Sequence, residues 1–425
     1  MLDIKIFREE PEKIFESEKK RFRDITNVEK TIEYDNLWRQ TTRQINDLRS
    51  EKNKLSKSFK QAKKDGTIQE VINKSKEVAN KIKELEPKLD EYKDLRDQYR
   101  YKVGNIIDDK VPISDTEEDN EIIKKFGEIP SFDFTPKNHV DLMEIIDGTD
   151  TQTAASVSGS RFYYLKQDIV FLNLALIQFA LNELTSKGYT PMQTPFFIKS
   201  EVAKETSELG EFEETLYKVE NEDLFLIATA EQTLGALHRD EIISTEELPK
   251  RYCALSTCFR KEAGSHGKDT LGIFRVHQFE KIEQFIYATP EESENEHQRL
   301  LEVTESIYQK LNLHYRVVSI VSSALNDNAS IKYDLEAWFP GSQTYRELVS
   351  CTNCKDYQAR KTKTRYGKAG ASDAQILHTL NSTAIATDRT LCCLVENYQL
   401  EDGSIKIPDV LIPYMNGKTV IKAIN

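Results

Sequence analysis

The first hundred residues repeat apolar side chains every seven positions, and this repeat constrains the fold more than any other feature of the sequence. After residue 67 one register of the repeat consists of Val71, Val78, Leu85, Tyr92 and Tyr99, and a second is interrupted by Ser75 and Arg96. Before residue 65 the apolar positions are Trp38, Ile45, Leu48, Leu55, Phe59 and Ala62, interrupted by Lys52. The helix breaker Asp65-Gly66-Thr67 separates the two stretches. The pattern predicts an antiparallel hairpin of two helices.

This hairpin is predicted to be a long and thin rod. About 30 residues in each arm, at a rise of 1.5 Å per residue, give a length of about 45 Å. Pro87 falls on the outer face of the second arm, where a local kink is expected but no break. Because two helices bury too little surface to build a catalytic domain, the rod is either a spacer or a probe that reaches a distant partner.

The outgoing arm is basic, although the whole chain carries a formal net charge of -12. Its basic residues are Arg39, Arg43, Arg49, Lys52, Lys54, Lys57, Lys60, Lys63 and Lys64, against only Asp47 and Glu51. Two interpretations stay open from this segment alone. The charges form a solvated helix face, or they bind the phosphates of a nucleic acid. The basic face favours the probe over the spacer.

The length of 425 residues exceeds what one core normally serves, and we predict two domains, 1–108 and 109–425. An acidic, proline-punctuated stretch around residues 115–121 is interpreted as a linker between them. From about residue 138 strands and helices mix without a regular alternation and without a glycine-rich phosphate loop. This predicts an α+β domain, built on an antiparallel sheet flanked by helices.

The sequence predicts a soluble cytoplasmic protein that does not bind a membrane. It lacks a run of about 18 apolar residues, and its N-terminus is charged throughout. The six cysteines are scattered, which favours a reducing compartment. Cys351 and Cys354 have a spacing found in metal sites, but no second such pair or nearby histidine pair completes four ligands. We therefore expect no zinc.

Residues 258–285 carry the most informative pattern. Two strand-like stretches flank a polar, glycine-containing loop at 263–272. Period two places Cys258, Arg260 and Glu262 on one face of the first strand. On the second strand it places together Phe279, Lys281, Glu283 and Phe285. The charged residues form either a structural ion pair across a hairpin or a binding site, and both interpretations stay open on the pattern alone.

This run resembles motif 2 of the class II aminoacyl-tRNA synthetases, in the form found in the seryl-tRNA synthetases of the eukaryotic cytoplasmic type. The resemblance implies that Arg260 is catalytic and lies against the α-phosphate of ATP and the serine, that the ring of Phe279 stacks on adenine, and that Glu283 holds serine. It also implies further ATP contacts from Lys261, Glu262, Val276, His277 and Gln278. The loop, with Lys261 and Lys268, is expected to face the acceptor end of a tRNA.

Other segments resemble the same family in the same order along the chain. Thr229-Ala230-Glu231 is similar to the element that binds serine, and Thr229 and Glu231 are expected to share a strand face. Glu347-Leu348-Val349-Ser350 resembles the strand that contacts ATP and supplies Glu347 and Ser350 to its magnesium ion.

The segment from Asn381 to Arg389 resembles motif 3, a polar strand followed by an apolar helix. The resemblance places Asn381 and Thr383 in the serine pocket and makes Arg389 a second catalytic residue, on the nucleotide. Thr387 or Asp388 is expected to be the N-cap of the helix, which puts Arg389 in its first turn. The helix from about 168 to 186 and the following Lys187-Gly188-Tyr189 resemble motif 1, which implies a homodimer.

The resemblance implies a serine–tRNA ligase that uses ATP and Mg²⁺, binds tRNA(Ser) through the N-terminal arm and the motif 2 loop, and leaves open whether tRNA(Sec) is a substrate. Two alternatives compete with it. One is a related protein that keeps the fold and the arm but does not aminoacylate, and the other is a non-enzymatic coiled-coil adaptor. Serine-dependent pyrophosphate exchange distinguishes the enzyme from both.

Overall fold

The computed structural model describes residues 1–207, 212–262, 271–368 and 373–424. The chain divides into two compact units, Met1–Ile106 and Ile107–Asn425. The helices are, in chain order, α1 Ile4–Glu9, α2 Pro11–Lys20, α3 Thr26–Asp65, α4 Ile68–Tyr101, α5 His139–Ile145, α6 Thr151–Ser158, α7 Gln167–Ser186, α8 Ser200–Thr206, α9 Phe212–Thr215, α10 Ala230–Gly235, α11 Ser293–Lys310, α12 Tyr357–Thr362 and α13 Thr387–Asn397.

The strands are, in chain order, β1 Glu121–Phe126, β2 Thr149–Asp150, β3 Tyr164–Leu165, β4 Thr190–Gln193, β5 Phe197–Lys199, β6 Leu224–Leu226, β7 Ile242–Ile243, β8 Lys250–Phe259, β9 Gln278–Ala288, β10 Tyr315–Ser319, β11 Ile331–Phe339, β12 Thr344–Asn353, β13 Arg365–Tyr366, β14 Gln375–Ile376, β15 His378–Ala386, β16 Ile405–Lys406 and β17 Val420–Ile421.

In the first unit, α3 and α4 form the predicted helical hairpin. The turn is made by Gly66, whose φ of 78° lies in the left-handed region and whose N–H bonds to the carbonyl of Ala62. The arms are longer than predicted, with 40 and 34 residues, because the helices extend beyond the heptad positions. At 1.5 Å per residue they measure about 60 and 51 Å. Pro87 is exposed and α4 continues through it.

The polar interruption at Arg96 is compensated by charge. Arg96 is buried, and its Nη1 lies 3.6 Å from Oδ1 of Asp35 on the opposite helix, while its guanidinium covers the ring of Trp38 at 5.1 Å. Asp35 also accepts two hydrogen bonds of 2.7 Å from Arg8. Buried charges are tolerated when they are paired in this way, so the seam keeps one register through its polar position.

The second unit is built on an eight-stranded sheet in the order β1-β10-β11-β12-β15-β9-β8-β4. All its neighbouring strands are antiparallel except β4 and β8. This confirms the predicted α+β class. The interpretation of residues around 115–121 as a linker was wrong in part, because β1 begins at Glu121 and pairs with β10 at the edge of this sheet.

Helix α7 confirms the helix predicted at 168–186. Of the described helices it is the one that has the length and apolar composition needed to cross a membrane, but half of its most apolar window is buried within the chain. Its side chains Leu172, Leu176 and Phe179 belong to the main hydrophobic core. Phe171 and Leu174, in contrast, are each 54% exposed.

Candidate functional site

A cleft of about 890 Å³, open to solvent, lies over the face of the large sheet that is formed by β9, β12 and β15. It brings together most of the residues predicted for the site. These are Thr229, Glu231, Arg260, Glu262, Val276, Phe279, Glu283, Glu347, Leu348, Ser350, Asn381, Thr383 and Arg389. They come from segments up to 160 residues apart, from Thr229 to Arg389, so the fold assembles one site from separate motifs.

Arg260 and Phe279 form one end of the cleft. The guanidinium carbon of Arg260 lies 5.1 Å from the centre of the Phe279 ring, and its Nε donates a hydrogen bond of 3.2 Å to the carbonyl of Ala228. The backbone N–H of Arg260 bonds to the carbonyl of His277 at 2.9 Å. These contacts hold a fixed cation beside an aromatic face, an arrangement that suits a nucleotide.

The prediction that Cys258, Arg260 and Glu262 share one strand face was wrong. Strand β8 ends at Phe259, and Glu262 adopts a left-handed φ of 49°. Its carboxylate then accepts a hydrogen bond of 2.8 Å from Nη1 of Arg275. Arg260 and Glu262 nevertheless both line the cleft, because the chain bends over it after the strand.

Glu283 forms the other end of the cleft and is 2% exposed. Thr383 lies directly opposite it on β15, and the hydroxyl of Thr229 is 3.4 Å from its Oε2. Asn381 is two residues before Thr383 on the same strand and donates to the sulfur of Cys354 at 3.7 Å. The result is a small pocket lined with hydroxyl, amide and carboxylate groups.

The prediction that Thr229 and Glu231 share a strand face was also wrong. Thr229 is the N-cap of α10 and accepts the N–H of Glu231, which lies in the first helical turn. Both side chains still reach the cleft. Glu231 is held from behind by Gln358, whose Nε2 donates to its Oε1 at 3.2 Å.

Arg389 connects motif 3 to the strand that carries Glu347. Its Nη1 lies 3.4 Å from Oε2 of Glu347 and donates to the carbonyl of the same residue at 3.1 Å. Partial desolvation disfavours the charged form of Glu347, but the charges of Arg389 and Lys332 outweigh this effect and lower its pKa. Glu347 is therefore a carboxylate in a positive environment.

The helix that carries Arg389 begins as predicted after a polar strand, but its N-cap is Ala386, so the predictions of Thr387 or Asp388 as the cap were wrong. Strand β15 runs through Ala386 and leaves no loop residue between strand and helix. Asp388 is instead buried in the first turn, and desolvation raises its pKa to about 6 against the attraction of Arg389.

Some predicted residues do not line the cleft. Ala230 and Val349 are buried in the core, and Gln278 is exposed. His277 supports the site indirectly, because its Nδ1 lies 2.8 Å from the carbonyl of Arg260. The N–H of Lys261 bonds to the carbonyl of Thr215. The roles predicted for these five residues stay predictions, as does that of Lys268, which lies outside the described residues with most of the 263–272 loop.

Other residues line the cleft although the sequence analysis did not assign them to the site. They are Phe274, Arg275, Lys281, Asn326, Lys332, Thr352, Ala386 and Asp388. A signal existed for Lys281, since period two places it between Phe279 and Glu283. No pattern in the sequence distinguishes Asn326 or Lys332, because their proximity depends on the packing of distant segments.

The metal ligands predicted from the resemblance are one carboxylate and one hydroxyl. Glu347 and Ser350 both line the cleft, and the side chain of Glu347 is 43% exposed. Within the described ranges, no group of three or more His, Cys, Asp or Glu residues is placed to hold a metal ion. Cys351 and Cys354 are both buried as free thiols.

Two family models match the chain. Residues 1–107 match the seryl-tRNA synthetase N-terminal domain, and residues 215–398 match the tRNA synthetase class II core domain of the G, H, P, S and T enzymes.

Individual relatives extend this similarity over the whole chain. The chain is 80% identical over 423 residues to a serine–tRNA ligase of Methanosphaera stadtmanae, covering 100% of both. It is 47% identical over 434 residues to a cytoplasmic serine–tRNA ligase of Arabidopsis thaliana, covering 99% of this chain and 96% of that one. A crystal structure of seryl-tRNA synthetase from Pyrococcus horikoshii complexed with ATP matches with a TM-score of 0.96 and 42% identity, over 100% of each chain.

Proposed function

The chain belongs to the seryl-tRNA synthetases, and from this premise we propose that it activates L-serine with ATP and transfers the seryl group to tRNA(Ser). The observation that carries the proposal is the meeting of Arg260, Phe279, Glu283 and Arg389 in one cleft. Phe279 and Glu283 lie four residues apart on β9, which corresponds to about 13 Å along a strand. This separation is comparable to the span between adenine and amino acid in an aminoacyl-adenylate.

In the first step a carboxylate oxygen of serine attacks the α-phosphorus of ATP, and the bond to the bridging oxygen of pyrophosphate breaks. Two anions must approach each other while negative charge grows on the leaving group. Arg260 would neutralise the α-phosphate, and Arg389 would neutralise the phosphates beyond it. Catalysis then comes from positioning and electrostatic stabilisation, without a covalent protein nucleophile.

Magnesium fits the oxygen donors of this cleft. The side chain of Glu347 is partly exposed in the cleft. Ser350 lies on the same strand and lines the same cleft. A carboxylate and a hydroxyl suit a hard cation that keeps several of its waters. When bound there, Mg²⁺ would neutralise charge on the phosphates of ATP.

Specificity for serine rests on the polar pocket around Glu283. Serine offers an ammonium and a hydroxyl to Thr229, Glu231, Glu283, Asn381 and Thr383. Alanine has no hydroxyl and would leave buried polar groups of the pocket without a partner. A site of this kind strongly rejects a substrate that lacks the hydrogen-bonding group. Threonine adds a methyl group and must be excluded by the size of the pocket.

The proposal extends to the partners of the protein. The hairpin of α3 and α4, in an N-terminal domain of residues 1–108, would bind the tRNA through the basic face of α3. The catalytic domain would comprise residues 109–425. The exposed Phe171 and Leu174 on α7 support a homodimer, because exposed apolar side chains on a motif 1 helix are suited to an interface between two copies. A cytoplasmic location agrees with the six cysteines, which are all buried as free thiols.

Pyrophosphate exchange with each of the twenty amino acids tests the proposal. Exchange that depends on serine, followed by charging of tRNA(Ser), is the expected result. Exchange with another amino acid would overturn the serine assignment. Absence of exchange with every amino acid would favour a related protein that keeps the fold without the activity.

A further inference from the structure

Lys281 lies midway along the floor of the cleft, between the two ends assigned to nucleotide and amino acid. Phe279, Lys281 and Glu283 alternate on one face of β9, and all three line the cleft. Neighbours on one strand face are separated by about 6.6–6.8 Å. The intervening Glu280 points the other way, where it accepts a hydrogen bond of 2.7 Å from Asn173 on α7. Lys281 is therefore near the place where serine and the α-phosphate must meet.

The residues on either side of Lys281 in the sheet have short side chains. Ser256 on β8 and Ala386 on β15 lie directly opposite it on the two neighbouring strands. Neither side chain carries a charge, and Ala386 also lines the cleft. The ammonium group thus projects from a floor of short side chains, which leaves room above it for a ligand.

Lys281 is paired with Glu283, the residue proposed to hold serine. Its Nζ forms an ion pair with Oε2 of Glu283, and the two side chains are only 8% and 2% exposed. A buried ion pair loses stability if one partner is withdrawn, because the other charge is left without compensation. A ligand cation that binds Glu283 would therefore leave the charge of Lys281 without compensation. A ligand anion bound at Lys281 would restore the charge balance.

Free serine can supply both charges, since it carries a positive ammonium and a negative carboxylate at neutral pH. We propose that Lys281 and Glu283 form a charge-complementary pair for the zwitterion. In this inference, which rests on the proposed function, Glu283 receives the serine ammonium and Lys281 receives the serine carboxylate. The internal ion pair exchanges partners when serine binds, and Lys281 holds the attacking carboxylate beside Arg260 without taking up or releasing a proton.

The test compares serine with serinamide, which keeps the ammonium and hydroxyl but has no carboxylate. Dissociation constants are measured by calorimetry with the full chain and a non-hydrolysable ATP analogue, at about pH 6.5 so that both α-amino groups are protonated. The wild-type chain is expected to bind serine about tenfold to a hundredfold more tightly than serinamide, as for a hydrogen bond between charged groups. In Lys281→Met this ratio is expected to fall at least about tenfold.

The ratio of the two constants does not depend on the fraction of folded protein, so partial misfolding of the variant does not imitate the effect. Lys281→Gln provides a second, polar replacement that should lower the ratio in the same way. Lys250→Met is the matched control, because Lys250 lies on the adjacent strand, is paired with Glu247 at 2.5 Å and does not line the cleft. Its ratio should equal that of the wild type.

Equal weakening of both ligands in Lys281→Met would overturn the inference, since it would mean that Lys281 only supports Glu283. An unchanged ratio with unchanged affinities would also overturn it. A wild-type chain that does not bind serine would instead refute the proposed function itself. These results are distinguishable within one set of titrations.

Discussion

Glu347 and Ser350 line the same cleft although they stand three residues apart on one strand. Regular alternation would place them on opposite faces of the sheet. Leu335 on β11 pairs with Val349 on β12, but the next residue, Glu336, pairs with Glu347. Leu348 is therefore the extra residue of a β-bulge. The bulge turns Glu347 towards the cleft, where Ser350 already points.

The bulge leads to a prediction about magnesium. Glu347→Gln keeps the shape of the side chain but removes its charge, so the concentration of Mg²⁺ needed for half-maximal pyrophosphate exchange should rise about tenfold or more. Excess Mg²⁺ should restore part of the activity. The measurement is a magnesium titration of the exchange rate.

Glu336→Gln is the matched control for this titration. Glu336 lies opposite Glu347 across the bulge, is paired with Arg316 at 2.5 Å and does not line the cleft. Its magnesium dependence should match that of the wild type. The same shift in both variants would mean that the loss of a sheet carboxylate, and not of a metal ligand, changes the activity.

A second prediction concerns Arg260. Arg260→Ala removes the cation next to Phe279, and exchange should fall by about two orders of magnitude or more, as when one donor that stabilises developing charge is lost. The decrease should appear mainly in kcat. Arg251→Ala, on β8 and paired with Glu296 at 2.6 Å, should leave kcat within about threefold. Near wild-type exchange in Arg260→Ala would contradict its assignment.

The lysines of α3 are expected to contribute to tRNA binding but not to the activation of serine. Lys54, Lys57, Lys60 and Lys64 are exposed on α3, and their joint replacement by Gln should raise the KM for tRNA while serine-dependent exchange stays unchanged. The salt dependence of tRNA binding should also become weaker, by about 0.7–0.9 in logarithmic slope for each phosphate that is no longer neutralised.

The same number of lysines can be removed from α4 as a control. Lys76, Lys81, Lys83 and Lys88 are exposed there, among the acidic residues Glu77, Glu84 and Glu86. Because this face is close to neutral, their replacement by Gln should change tRNA binding much less. Equal effects of both sets would show that only the total charge of the arm matters.

The sequence predicted those features that depend on local periodicity. A repeat of seven with a glycine breaker was enough to place α3, Gly66 and α4, since the heptad period lies within each helix and the breaker marks where the chain turns back. The lengths of the arms were underestimated because helices continue beyond their apolar seam. The strand faces of β9 were also predicted correctly, since Phe279 and Glu283 lie on a regular part of that strand.

The remaining features depend on departures from periodicity or on distant packing. The left-handed Glu262, the bulge at Leu348 and the N-cap position of Thr229 each break the alternation on which a strand prediction relies. The meeting of Thr229, Glu283 and Thr383 joins three distant segments. For these the resemblance to a family named residues that line one cleft, while the period of the sequence misplaced some of their backbones.

The carboxyl group of Asp388 is buried in the first turn of α13. Desolvation raises its pKa from the ordinary 3.8 to about 6 in the folded chain. The folded state therefore binds this proton more tightly than the unfolded state does. The stabilising contribution of the protonated form is complete below about pH 3.8 and is lost as the pH rises through about 6.

Asp388→Asn cannot ionise and should escape this loss. Relative to the wild type, its thermal unfolding midpoint should rise between pH 4 and pH 7, with a gain in unfolding free energy of at most about 2–3 kcal/mol. Asp402→Asn is the contrasting control: a hydrogen bond from the backbone of Ser404 lowers the pKa of Asp402 below the ordinary 3.8, so the stability that its charge contributes is lost only at lower pH. The difference between Asp402→Asn and the wild type should therefore stay nearly constant between pH 4 and pH 7. A difference between Asp388→Asn and the wild type that stays constant with pH would mean that this carboxyl group does not titrate in the folded protein.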